Sequence, residues 1–178
     1  MTKVIRQTET KSYIKQALAQ LLKKKSFEEI SVTMICRQAG INRGTFYLHY
    51  LDKYDMMDKM KEETLSHIYD IITEETQSFS KEVVFAALQF IYDDFDFIAI
   101  LSGSTYVNLH QSIRNFIASI LANVPYFENF LKERYGIPIQ YAITVYIASI
   151  EAIISQWIAD GGKETPEEMA EIIYHISN

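Results

Sequence analysis

The stretch that decides the fold of this chain runs from Ser31 to Lys53 and reads SVTMICRQAGINRGTFYLHYLDK. Ser31 is a good N-cap for a first short helix, and Gly40 suits the position after it, where φ is positive. Asn42 can cap a second short helix over about 43–50. Two short helices joined by a tight turn predict a helix-turn-helix, whose second helix fits the major groove of B-DNA.

Charge divides the chain near residue 61. Residues 1–61 hold twelve Lys or Arg against six Asp or Glu, a net charge of +6, whereas residues 62–178 hold five against seventeen, a net charge of −12. The chain as a whole is acidic, with a net charge of −6. A basic segment on an acidic body is typical of a polyanion-binding head, although unevenly solvated faces would give the same counts.

Composition favours a helical protein over a sheet-based one. The chain has 178 residues, 48% of them hydrophobic, and only six Gly and three Pro. A chain of this length and hydrophobic content can bury the core of one domain, or form a small module fused to a larger domain. The single cysteine, Cys36, excludes a disulfide framework and a CxxC metal site within one chain. Since no run resembles a signal peptide or a membrane span of roughly 20 apolar residues, we expect a cytoplasmic protein without membrane contact.

Apolar side chains recur with helical spacing on both sides of the opening stretch. The pattern predicts a helix over about 13–22 and a long one over about 53–75. Further helices are predicted over about 81–92, 95–101, 106–122, 126–135, 138–159 and 166–176. The last one begins with Thr165-Pro166-Glu167-Glu168, which combines an N-cap, a proline at the first helical position and a capping box. Because no strand is predicted, we expect an all-α fold.

The opening stretch also carries a more specific pattern. A Gly turn, an aromatic pair and a capped lysine stand at set offsets, and together they resemble the N-terminal signature of TetR-family (TetR/AcrR) transcription regulators. The residues of this signature are Phe27, Ile30, Ile35, Ala39-Gly40-Ile41, Arg43-Gly44-Thr45-Phe46-Tyr47, His49-Tyr50 and Asp52-Lys53. The segment Trp157–Met169 is similar to the C-terminal region of the family branch that contains the activator of dihydroxyacetone-kinase operons.

This resemblance implies an architecture of about nine helices. A three-helix DNA-binding module over residues 1–54 is expected to precede a helical regulatory and dimerisation domain over residues 55–178. The last two helices would pair with those of a second subunit in a four-helix bundle. The homodimer would then place two recognition helices in successive major grooves of a pseudopalindromic operator in double-stranded DNA.

The resemblance also implies which residues contact DNA. Arg43 opens the recognition helix, where Arg can bond bidentately to guanine, and Lys53 opens the next helix, where its ammonium suits a phosphate. The full predicted set is Thr33, Asn42, Arg43, Gly44, Thr45, Tyr47, Leu48, His49 and Lys53. Phe46 and Tyr50 are expected in the core, and His49 could equally lie at the core edge.

The region after residue 80 is rich in aromatic residues, which in the family line a cavity for an apolar or aromatic effector. The predicted ligand-binding residues are Phe85, Tyr92, Phe95, Tyr106, His110 and Phe116, although an aromatic stripe is more often plain core. His110 and Arg114 share a helix face and would suit an anionic ligand unless they are merely solvated. The alternative is a co-regulator controlled by a protein partner, as in dihydroxyacetone-kinase-type regulators.

The predicted helix over 138–159 is apolar on more than one face, which is typical of a helix that is deeply buried or shared with a partner. The predicted dimer interface comprises Tyr141, Val145, Ala148, Ala152, Trp157, Met169 and Ile173. No nucleophile elbow, phosphate-binding loop, dinucleotide fingerprint or metal-ligand spacing is present, so we expect neither an enzyme nor a cofactor or metal. The sequence thus predicts a ligand-responsive regulator, either a repressor or an activator.

Overall fold

The structure, a computed structural model, describes residues 2–74, 80–102 and 106–177. These residues form ten α-helices and no β-strand, and the all-α prediction is confirmed. In chain order the helices are α1 (Thr2–Leu22), α2 (Val32–Ala39), α3 (Arg43–Tyr47), α4 (Lys53–Glu74), α5 (Lys81–Asp93), α6 (Phe95–Ser102), α7 (Leu109–Leu121), α8 (Phe127–Tyr135), α9 (Ile139–Ala159) and α10 (Pro166–Ser177).

The helices form two compact units. The first comprises Met1–Thr64 and Asp96–Val107, and the second comprises Leu65–Phe95 and Asn108–Asn178. The first unit therefore reaches beyond residue 54 into α4 and also includes most of α6. The physical reason is burial, because Phe97, Leu101 and Val107 belong to the same apolar cluster as the core of α1 to α4.

The core of the first unit is built around the helix-turn-helix. Ile14 and Leu18 of α1, Ile35 of α2 and Phe46 of α3 are all fully buried. Tyr50, 2% exposed, joins the same cluster, so Phe46 and Tyr50 lie in the core as predicted. Each large apolar side chain removed from water contributes roughly 1.5–3 kcal/mol, and this burial rather than helix propensity holds five-residue α3 in place.

The second unit is a helical bundle in which α10 packs against α5, and α9 packs against α7, α8 and α10. Its buried side chains include Val83 and Leu88 on α5 and Met169 and Ile173 on α10. The start of α10 is the predicted capping box: the Glu168 carboxylate accepts from Thr165 N at 2.8 Å, and Thr165 Oγ1 accepts from Glu168 N at 3.2 Å.

Helix α9 is long and apolar enough to cross a membrane by length and composition alone, with a mean hydropathy of 1.5. Within the second unit it instead buries Tyr146, Ile150 and Trp157 against neighbouring helices. It also carries the buried carboxylate of Glu151, bonded to side chains of α7. These contacts are those of a helix in a protein core.

Candidate DNA-binding site

The recognition helix α3 is positioned by local caps. Ser31 Oγ accepts from Met34 N at 3.3 Å and begins α2, and Gly40 ends it with φ +67°. The side-chain oxygen of Asn42 then accepts from Thr45 N at 2.8 Å and begins α3. These caps satisfy backbone groups that the helix ends leave open, so the turn between α2 and α3 follows from the sequence of the turn itself.

Arg43 lies fully in solvent at the start of α3 and is held by its own helix. Its Nη2 donates to Tyr47 Oη at 3.1 Å, and its guanidinium carbon lies 5.7 Å from the centroid of the Tyr47 ring. The hydrogen bond to Tyr47 raises the pKa of Arg43 above its ordinary value. Tyr47 therefore holds one side of a permanently charged, exposed group, whose remaining N–H donors are free to bond a base edge or a phosphate.

Two further predicted contacts are exposed. Leu48 is 80% exposed at the end of α3, and Thr33 is exposed on the preceding helix α2. An exposed leucine at the end of the recognition helix offers an apolar surface to a thymine methyl group, and the threonine hydroxyl offers a donor to a phosphate. Both side chains are therefore placed where the prediction requires them to be accessible.

Three other predicted contacts have roles inside the protein. Asn42 serves as the cap, Thr45 Oγ1 donates to its side-chain oxygen at 3.0 Å, and a Cβ on Gly44 would lie 3.2 Å from that oxygen. The absence of a side chain at Gly44 thus relieves crowding of the Asn42 cap. Burial, followed by the charge of Lys11, lowers the pKa of half-buried His49, which favours its neutral form at pH 7.

Lys53 has a different environment from the one that the sequence suggested. Its Nζ donates to three backbone carbonyls, those of Phe27 at 2.8 Å, Glu28 at 2.9 Å and Ile30 at 2.9 Å. An ammonium group has three N–H donors, so these bonds use all of them. In this conformation Lys53 clamps the connection between α1 and α2 onto α4 and has no donor left for phosphate.

Tyr106, predicted to bind a ligand, lies in the first unit. Its ring packs 5.2 Å from Phe27 and 5.1 Å from Tyr54, measured between centroids, and its hydroxyl donates to Asp58 at 2.9 Å. That hydrogen bond raises the pKa of Tyr106. Tyr106 thus ties the end of the segment Asp96–Val107 to α4 and to the residues that Lys53 clamps.

The other predicted ligand residues lie in the second unit. The rings of Tyr92 and Phe95 pack on Trp157, with centroids 6.1 and 5.4 Å from it, and Phe95 covers Gly162. His110 Nδ1 lies 2.7 Å from a carboxylate oxygen of Glu151. Phe85 and Phe116 are half-buried on α5 and α7.

The predicted dimer residues divide into two groups. Tyr141 is 60% exposed and Val145 46% exposed on α9, with exposed Ala152 and half-buried Ala148 on the same side of the helix. The other three, Trp157, Met169 and Ile173, are each 2% exposed. Their contacts are already made within the second unit, so an interface between subunits would have to use the first group.

Sequence reasoning missed a groove in the second unit. It lies between the end of α7, the start of α8 and the first half of α9 and has a volume of about 520 Å³. Its lining residues are Ala118, Leu121, Ala122, Val124, Tyr126, Phe127, Glu128, Asn129, Ile143 and Ile147. The aliphatic residues carry no local signal of a cavity, but φ +59° at a tyrosine is a signal that only the structure supplies.

Known proteins resemble this chain along most of its length. A curated relative, the uncharacterized HTH-type transcriptional regulator YxbF of Bacillus subtilis (strain 168), is 23% identical over 176 residues, covering 92% of this chain and 43% of the relative. The chain therefore spans less than half the length of that protein. The solved structure of DhaS, the dihydroxyacetone kinase operon activator, has a TM-score of 0.65 at 16% identity, covering 94% and 93% of the two chains.

A second similar solved structure is the transcriptional regulator FadR from Bacillus subtilis in complex with stearoyl-CoA, with a TM-score of 0.56 at 16% identity over 93% of this chain and 96% of that one. At such identities, the two solved structures show the fold alone.

Family membership rests on two sequence matches. Residues 14–60 match bacterial regulatory proteins of the tetR family, and residues 80–178 match a transcriptional regulator C-terminal region of that family. Such proteins are DNA-binding transcription regulators and not enzymes, as predicted. The chain therefore belongs to the TetR family of transcription regulators.

Proposed function

We propose that this regulator binds a pseudopalindromic operator as a homodimer and that an effector bound in the second unit controls its affinity. The observation that carries the proposal is the exposed Arg43–Tyr47 pair on a capped recognition helix. The segment around it carries the positive charge of an otherwise acidic chain. The proposed place of action is the cytoplasm.

The proposed homodimer rests on the exposed apolar face of α9. Tyr141, Val145, Ala148 and Ala152 are spaced by four, three and four residues, so they form one stripe along the helix. Two of them are large and about half exposed. A self-complementary stripe of this kind suits a two-fold interface, and a dimer would present two copies of α3 to successive major grooves.

The proposed effector control rests on how the chain is divided between the units. The segment Asp96–Val107 belongs to the first unit, while the residues on both sides of it belong to the second. Tyr106 fastens this segment to Phe27 and Asp58 close to the helix-turn-helix. A ligand that favours one arrangement of the second unit would therefore act on the first unit through the two ends of this segment, in addition to the connection between Thr64 and Leu65.

The experiment that tests the dimer compares two charged variants on α9. Val145→Asp places a carboxylate in the stripe, and Thr144→Asp places the same charge on the neighbouring exposed residue, about a quarter-turn away. Analytical ultracentrifugation should find the first variant monomeric and the second dimeric. Anisotropy titrations on the DNA beside the gene should show that only the first variant loses binding. A dimeric Val145→Asp protein would contradict the proposed interface.

A further inference from the structure

The groove that the sequence did not reveal lies beside an antiparallel helix pair. Arg114 on α7 bonds to Glu151 on α9, and one turn further along α7 the wall is formed by Ala118, with Ile147 one turn earlier on α9. The wall then continues with Leu121 and Ile143. The groove thus follows the α7–α9 seam away from the Arg114–Glu151 pair.

The groove lies on the opposite side of α9 from the proposed dimer stripe. Ile143 and Ile147 each follow a stripe residue, Tyr141 or Val145, by two positions, which is about 200° around an α-helix. A second copy seated on the stripe would therefore leave the groove open. An occupant of the groove would contact the same helix that the dimer is proposed to use.

The rim of the groove is held in a strained conformation. Tyr126 has φ +59° and ψ +9°, which is unfavourable for a residue with a bulky side chain, and the residue as a whole is 84% exposed. It precedes α8 without a side-chain cap. The strained backbone therefore presents an aromatic face to solvent at the mouth of an apolar groove, instead of burying the ring.

The one charged side chain among the described lining residues, that of Glu128, favours a cation over an anion. Among the described residues that line it, only Glu128 and Asn129 have polar side-chain groups besides the Tyr126 hydroxyl, and none is Lys or Arg. Lys132 lies 3.8 Å from Glu128, but both side chains are more than half exposed, so this pair is weak.

The nearest cation on the α7 side is Arg114, which lies one turn beyond the lining residues. Its charge is balanced by Glu151, whose carboxylate is nearly fully buried and accepts from Arg114 Nε at 3.1 Å. The second unit also carries fourteen Asp or Glu against five Lys or Arg, which repels anions in general.

We propose that this groove binds an amphiphile with an apolar body and a cationic head, the head lying between Glu128 and the ring of Tyr126. The volume of about 520 Å³ is within the range of small-molecule sites. The carboxylate and the aromatic face each favour a cation. The inference deepens the proposed effector control by naming the site and the ligand class, but binding itself does not depend on DNA.

The test uses three probes with one chain and three heads: decyltrimethylammonium, decanol and decanoate. Each is titrated below its micellar concentration into the full-length protein without DNA, and binding is measured by calorimetry. We expect the cation to bind about tenfold more tightly than decanol and decanoate to bind most weakly. Tighter binding of decanoate, equal binding of the cation and decanol, or no binding of any probe would overturn the proposal.

Variants locate the site. Glu128→Gln should remove most of the advantage of the cation over decanol, whereas Glu133→Gln, on the same helix but outside the groove, should leave it unchanged. Ala122→Trp should fill the groove and abolish binding of all three probes, with folding checked by circular dichroism. Unchanged binding in Glu128→Gln, or in a folded Ala122→Trp protein, would overturn the assignment. Operator binding by these variants without probe tests the proposed function separately.

Discussion

Each unit of this protein holds one charged group in place with three hydrogen bonds, but the bonds are made differently. In the first unit the ammonium of Lys53 is held by three backbone carbonyls. In the second unit the carboxylate of Glu151 is held by three side chains, those of His110, Arg114 and Ser155. The first anchor fixes a chain connection, and the second joins α7 to α9.

This difference in bonding partners indicates how each unit can respond to its surroundings. Backbone carbonyls do not titrate, so the three acceptors that hold Lys53 do not change with pH. The Glu151 anchor depends on three side chains, of which His110 is 73% and Arg114 47% exposed. We infer that the first unit is a rigid DNA-binding module and that the packing of the second unit can be altered.

Among the substitutions, Lys53→Ala is expected to change protein stability most. Losing three bonds from a charged donor should lower the free energy of unfolding of the first unit by about 3 kcal/mol. Hydrogen exchange of the α2 and α3 amides should speed up accordingly. The fluorescence of Trp157, the only tryptophan and part of the second unit, should report an unchanged unfolding midpoint.

The control is Lys24→Ala, which removes the same charge from an exposed residue of the first unit. It should leave hydrogen exchange unchanged. If Lys53 instead contacts phosphate, the salt dependence of DNA binding would fall by about one unit in slope without a loss of stability. That outcome would mean that Lys53 contacts a DNA phosphate and does not stabilise the first unit.

A second prediction concerns how tightly the second unit packs around Gly162. A Cβ on Gly162 would lie 2.8 Å from the Phe95 ring, in addition to the strain of φ +65°. Gly162→Ala should therefore cost about 2 to 3 kcal/mol in urea unfolding followed by Trp157 fluorescence. Gly136→Ala has a similar φ of +61° and no atom within 4 Å of the added Cβ, and it should cost only about 1 kcal/mol. If both substitutions lowered the free energy of unfolding equally, the Phe95 ring would have to move away from the added Cβ.

Glu151→Gln is expected to lower the free energy of unfolding of the second unit by a smaller amount. Burial by itself would raise the pKa of Glu151, but hydrogen bonds from Ser155, His110 and Arg114 hold it below its ordinary value. A carboxyl with a lowered pKa in the folded state stabilises the protein above the pKa of the unfolded chain. This stabilisation is lost as the pH falls through the folded pKa.

Urea unfolding between pH 7 and pH 3, followed by Trp157 fluorescence, measures this contribution. At pH 7 the Glu151→Gln protein should be less stable by about 1 to 2 kcal/mol, and the difference from the unmodified protein should shrink toward pH 3. Glu133→Gln, exposed on α8, should show no such convergence. A constant difference across the pH range would mean that the carboxylate charge does not stabilise the second unit.

Much of the fold could be predicted because its signals are local. Ser31, Gly40 and Asn42 begin or end helices where their side chains or backbone freedom predict it, and the Thr165–Glu168 capping box does the same. Each of these rules involves residues no more than four positions apart. The family pattern added the recognition helix and the orientation of Arg43 toward solvent.

The rest depends on contacts between residues far apart in the chain. The partners of Lys53 lie 23 to 26 residues away, and Asp58 lies 48 residues from Tyr106. No local pattern distinguishes a lysine that binds phosphate from one that binds carbonyls. The groove is similarly invisible in the sequence, because an alanine or isoleucine that lines a cavity has the same spacing as one that fills a core.

We propose that the first unit recognises DNA sequence through Arg43. The most direct measurement is selection of bound duplexes from a randomised pool by the unmodified protein, Arg43→Lys and Arg43→Ala, with the recovered sequences compared. We predict that the unmodified protein enriches an inverted repeat and that Arg43→Ala loses the enriched guanine positions while still binding random DNA. Arg43→Lys, which keeps the charge but not the bidentate geometry, should lose the same positions. An identical repeat recovered by all three proteins would contradict the claim.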